Sequence, residues 1–116
     1  MDGRKKHSEV TYIPIAEATS MHPRNDSASM VELIDGELFV VWIEMHSSKW
    51  GGHDEAPSSI ASMRSVDGGL TWDDHRIEVS PMEGDRSVYN PSLVLSSDGA
   101  LLFFYLKYHR LDWNQP

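Results

Sequence analysis

A chain of 116 residues holds about one ordinary domain with a single modest core, and its 40% hydrophobic content argues for a globular protein over a disordered one. The formal net charge of −8 argues against nucleic acid or anionic membrane as the main partner, and the absence of cysteine excludes disulfides, thiolate metal sites and a cysteine nucleophile. No stretch approaches the ~18 apolar residues of a membrane span, and the N-terminus lacks a signal-peptide core, which leaves the compartment undecided.

Residues 1–9 are polar, with Arg4-Lys5-Lys6 as their charge run, and read as a solvated segment ahead of one domain over 10–116. Val10 to Ile15 is β-branched and aromatic, which predicts a short strand that Pro14 confines to a sheet edge or strand end. Ala18 to Asp26 reads as a loop. Ser29 to Ile34 and Leu38 to Ile43 then form two strands about an Asp35-Gly36 turn. The second of these is apolar without alternation, so it needs cover on both faces. A polar loop over 46–57 leads to a third strand, Ser58 to Arg64, and a fourth follows from His75 to Val79. Four antiparallel strands in sequence order make one blade of a β-propeller.

The pattern then restarts. Asp98-Gly99 repeats Asp35-Gly36 at an offset of 63 residues (35 to 98), and Ser92, Val94 and Leu101 answer Ser29, Val31 and Leu38. Tyr105 answers Trp42, and Leu101 to Leu106 is again an apolar run that calls for cover on both faces. Internal repeats of this length are what stacked blades produce.

Between the third and fourth strands lies Ser65-Val66-Asp67-Gly68-Gly69-Leu70-Thr71-Trp72. Asp-Gly-Gly suits a tight turn, the carboxylate can accept backbone N–H groups there, and the Trp can bury its ring on the hairpin stem. The spacing Ser-x-Asp-x-Gly-x-Thr-Trp resembles the Asp-box of sialidases and related bacterial-neuraminidase-repeat propellers, carried by Ser65, Asp67, Gly69, Thr71 and Trp72. That motif marks the fold and lies away from the reaction centre.

The resemblance covers about Arg24 to Tyr108 and implies an all-β fold: a fragment of a six-bladed sialidase-like propeller, with one full blade and two strands of the next. Arg86-Ser87-Val88-Tyr89-Asn90-Pro91 resembles the segment opening the second blade of these enzymes. His53-Asp54-Glu55 resembles the loop carrying their acid/base aspartate, which makes Asp54 the catalytic candidate. Arg24 lies near the place of an arginine that binds the substrate carboxylate, with Asn90 and Lys107 as further substrate-binding candidates. Glu44-Met45-His46 stands where many members have an arginine.

The implied activity is exo-acting hydrolysis that releases a terminal sialic acid or related acidic sugar from a glycan, without a cofactor. Guanidinium binds carboxylate in a planar, bidentate way, and a partly desolvated Asp can protonate the leaving oxygen. Sialidases use a tyrosine nucleophile, which with its partner glutamate and two arginines comes from later blades. This sequence ends before those positions, so it is expected to be inactive alone and to self-associate through unpaired blade edges. The histidines match no metal-binding spacing, and no metal is expected. The rival from another class is a non-catalytic propeller that binds glycan or protein.

Overall fold

The computed structural model describes residues 9–47 and 56–109. These residues contain no helix and six strands: β1 (Arg24–Glu32), β2 (Leu38–Met45), β3 (Ser58–Ser65), β4 (Asp73–Val79), β5 (Asp85–Leu95) and β6 (Leu101–His109). β1 to β4 form one antiparallel sheet in sequence order, and β5 pairs with β6 in a second. The chain is all-β. No helix among the described residues is long and apolar enough to cross a membrane.

The unbroken apolar run of β2 is buried on both sides. Phe39 and Val41 meet Val88 and Leu93 of the second sheet, while Ile43 and Met45 meet Tyr89. On the opposite face, Val40 and Trp42 lie among Ala61, Met63 and Trp72, beneath Ile15 and Ala16. Burying a large apolar side chain contributes about 1.5–3 kcal/mol, so this strand is the main anchor of the domain.

The second sheet copies the first in register. Ser29 faces Val41 and Glu32 faces Leu38; 63 residues on, Ser92 faces Phe104 and Leu95 faces Leu101. β1 carries a bulge between Asp26 and Ser29, and β5 carries its counterpart between Tyr89 and Ser92. Each bulge holds a non-glycine residue at positive φ, Ser27 at 51° and Asn90 at 54°. The turns match too, with Gly36 at φ 88° and Gly99 at 89°.

Among the described residues the edge of β5 that faces the first sheet has no strand partner, and serine hydroxyls close it instead. Ser58 Oγ donates to the Val88 carbonyl at 2.6 Å and accepts the Val88 N–H at 3.3 Å, and Ser29 Oγ accepts the Leu93 N–H at 3.1 Å. This covers an edge that would otherwise expose or bury unpaired backbone groups.

Two expectations need correction. Val10 to Ile15 is not a strand: it has no sheet partner, and Val10 and Tyr12 are exposed. The segment crosses the outer face of the first sheet as an irregular strap, held by Ile15 and Ala16 against Trp42, and Pro14 removes a donor that pairing would need. Leu101 to Leu106 was expected to be covered on both faces, but Phe103 is its one residue packed in the core and Phe104 is 57% exposed. Strand boundaries also move: Arg24 is the first residue of β1 rather than a loop residue before it, and β4 opens at Asp73.

Candidate functional site

The bulge in β1 decides what lines the site. Residues opposite one another in an antiparallel pair share a face, and Arg24 and Asp26 lie opposite Met45 and Ile43. The extra residue at the bulge shifts the alternation, so Arg24 and Asp26 share the inter-sheet face with Ser29 and Val31 beyond it. Polar groups are thereby set at the end of an apolar core.

There they line a cavity of about 250 Å³ with Ser27, Tyr89, Asn90 and Tyr108, over Ile43 and Met45. Arg24 Nη2 is 2.5 Å from Asp26 Oδ2, and Asp26 Oδ1 accepts the Ser27 N–H at 2.8 Å. The Arg24 hydrogen bond is the main cause holding the Asp26 carboxyl below its usual range. Tyr89 and Tyr108 meet edge to face, 5.0 Å between centroids at 74°. The Arg86 guanidinium lies 5.5 Å from the centre of the Tyr108 ring.

The structure thus brings Arg24 and Asn90 together on one cavity. Lys107 is not among the lining residues; its Nζ lies 3.2 Å from Asp85 Oδ2 and 3.9 Å from Met82 Sδ. Asp54 lies outside the described residues. Its loop leaves β2 after Met45 and rejoins at Ser58, at the end of the sheet where Arg24 pairs with Met45.

The Asp67 turn sits at the opposite end, where Leu38 pairs with Ser65. Asp67 Oδ1 accepts the Thr71 N–H at 2.9 Å and the Ser65 hydroxyl at 2.8 Å, and Oδ2 accepts the Thr71 hydroxyl at 2.5 Å. Ser65 Oγ also accepts the Gly69 N–H at 2.8 Å, and Trp72 Nε1 donates to the Gly69 carbonyl at 2.9 Å. Led by the Thr71 hydroxyl, these bonds pull the Asp67 pKa from 3.8 to about 2. Trp72 is half-buried rather than enclosed, and Asp67 is exposed. The turn is a self-contained polar knot.

One cluster escaped the sequence. Glu44, buried on the Trp42 face, lies 3.0 Å from His75 Nε2 and 3.7 Å from His22 Nε2. His46 Nε2 is 2.8 Å from Ser59 Oγ, and its ring meets that of His22 at 5.8 Å and 72°. Burial, then the neighbouring His22, lowers the His46 pKa. The available signal was a carboxylate inside an apolar strand, which requires partners when buried. Among the described residues no group of three or more His, Asp or Glu side chains is arranged to hold a metal ion.

Compared with known proteins, the chain matches no family model and no curated relative.

Proposed function

We propose that the chain is part of a sialidase-like β-propeller glycosidase, and that the Arg24 cavity receives the terminal sugar of a glycan. The observation that carries the reading is the convergence of Arg24 and Asn90, from two repeated sheets, on one cavity at the end opposite the Asp67 turn. Support for the propeller comes from the 63-residue copy of strands, bulge and turn, packed sheet on sheet.

In this reading Arg24 orients the sugar, Asn90 holds a hydroxyl, and Asp54 is the general acid at the leaving oxygen. The tyrosine nucleophile and the remaining arginines of the sialidase pattern are not matched in this chain, so turnover requires further strands to supply them. The resemblance points to an acidic sugar, whereas the contact between Arg24 and Asp26 favours a neutral one.

The test is saturation-transfer NMR with 3′-sialyllactose and lactose, alongside a fluorogenic sialoside assay. Sugar signals that disappear in Arg24→Ala, without turnover above buffer, are expected. Turnover by the purified chain, abolished by Asp54→Ala, would show that these residues form a complete catalyst. Absence of any sugar signal would overturn the site.

A further inference from the structure

We infer that the sugar taken by the Arg24 cavity is neutral, with two adjacent hydroxyls bridging Arg24 and Asp26 and one face of the ring lying on the Tyr89–Tyr108 pair. The inference rests on the reading of this cavity as a sugar site and narrows it.

Charge is the first reason. Among the described lining residues Arg24 is the one cation and Asp26 the one anion, in contact at 2.5 Å. Lys107 is drawn away to Asp85 at 3.2 Å. A ligand carboxylate reaching Arg24 would lie beside the ionised Asp26 and compete with it for the same guanidinium, at a like-charge cost. The formal net charge of −8 adds a field of the wrong sign for an anion.

Hydrogen-bonding capacity is the second. An ionised carboxylate only accepts and a guanidinium only donates. A hydroxyl does both, so neighbouring hydroxyls of a pyranose can donate to Asp26 and accept from Arg24 without breaking their contact. Asn90 and Ser27, each held at positive φ by its bulge, set an amide and a second hydroxyl at the same cavity.

Shape and surface are the third. Tyr89 is half-buried against Ile43 and Met45, while Tyr108 is 40% exposed at the rim. Their edge-to-face contact at 5.0 Å offers a rigid aromatic wall with polar tips. At about 250 Å³ the cavity falls just below the roughly 300–1,000 Å³ of drug-sized pockets, which suits one sugar ring better than an oligosaccharide.

The experiment is NMR titration of the full chain with methyl glycosides of glucose, galactose and mannose, and with the methyl α-glycoside of N-acetylneuraminic acid. Asp26→Asn conserves volume while removing the charge, and Tyr108→Ser removes an exposed ring with little risk to the fold. Saturable binding of a neutral glycoside is expected, weakened about tenfold or more in Asp26→Asn and also weakened in Tyr108→Ser. The acidic glycoside is expected to bind less well. Binding of the acidic glycoside alone, strengthened by Asp26→Asn, would overturn the neutral assignment and leave the sugar site standing. If no glycoside of either kind binds, the sugar site and this inference both fall.

Discussion

A single hydroxyl, Ser58 Oγ, answers both backbone groups of Val88, donating to its carbonyl at 2.6 Å and accepting its N–H at 3.3 Å. Both residues are fully buried, so water does not take its place. Ser58→Ala leaves a buried donor and a buried acceptor unmet and should destabilise the fold by about 1–3 kcal/mol. Urea denaturation measures this. A change within about 0.5 kcal/mol, the range of ordinary surface substitutions, would show that the two sheets do not depend on the contact.

The Asp67 turn makes stability sensitive to strong acid. Its folded pKa of about 2 lies below the ordinary 3.8, so the native state binds fewer protons than the unfolded chain between those values. The contribution is therefore fully present above about pH 4 and disappears as pH falls through about 2. Asp67→Asn should lower the urea midpoint near neutrality, and its deficit should shrink steadily across that window. Thr71→Val should raise the Asp67 pKa, read from the carboxyl carbon by NMR, because the Thr71 hydroxyl is the largest cause of the shift.

His46 acts in a milder range. Burial and His22 hold its pKa below 6.5, so the fold favours the neutral ring. Here stability is present above 6.5 and falls as pH drops toward the folded value, since the unfolded chain takes up the proton first. His46→Gln should flatten the fall in urea midpoint between about pH 7 and about pH 5. An unchanged slope would assign the acid sensitivity to other groups.

Gly36 and Gly99 offer a matched pair. Both have φ near +90°, where a side chain is strained. A Cβ at Gly36 meets nothing within 4 Å, whereas one at Gly99 would clash with Ile34 Cδ1. Gly36→Ala should cost about 1–2 kcal/mol from backbone alone. Gly99→Ala should cost about 0.5–1.5 kcal/mol more, the penalty for forcing Ile34 off its rotamer. Adding Ile34→Ala to each should erase the difference, a test by double-mutant cycle.

The strands were legible where pattern and environment agree. The apolar run of β2 announced burial on both faces, and the Asp-Gly turns announced the hairpins and the repeat. The strap over 9–16 misled because β-branched residues suit any apolar contact, whether or not a strand pairs with them. Leu101 to Leu106 misled in the reverse way, since composition says what a strand prefers and not what lies against it. The resemblance singled out Arg24 and Asn90, but the cavity they share depends on bulges at Ser27 and Asn90 that no local propensity marks. The Glu44 cluster joins residues from 22 to 75, a long-range proximity without a sequence period.

The two sheets meet through unlike faces, and this gives the molecule a polarity. The Phe39–Val41 side of the first sheet receives Val88, Leu93 and Phe103, which stand at the positions of Asn25, Met30 and Val40 on that sheet's other side. One end of this progression is closed by Ile15 and Ala16. At the other, Leu102, Phe104 and Leu106 repeat Phe39, Val41 and Ile43 but remain 44%, 57% and 51% exposed. A surface that covers them by the same rule has to be unlike them, so growth from that end runs in one direction only. Contacts between unlike faces of this kind close into rings or run on as open filaments.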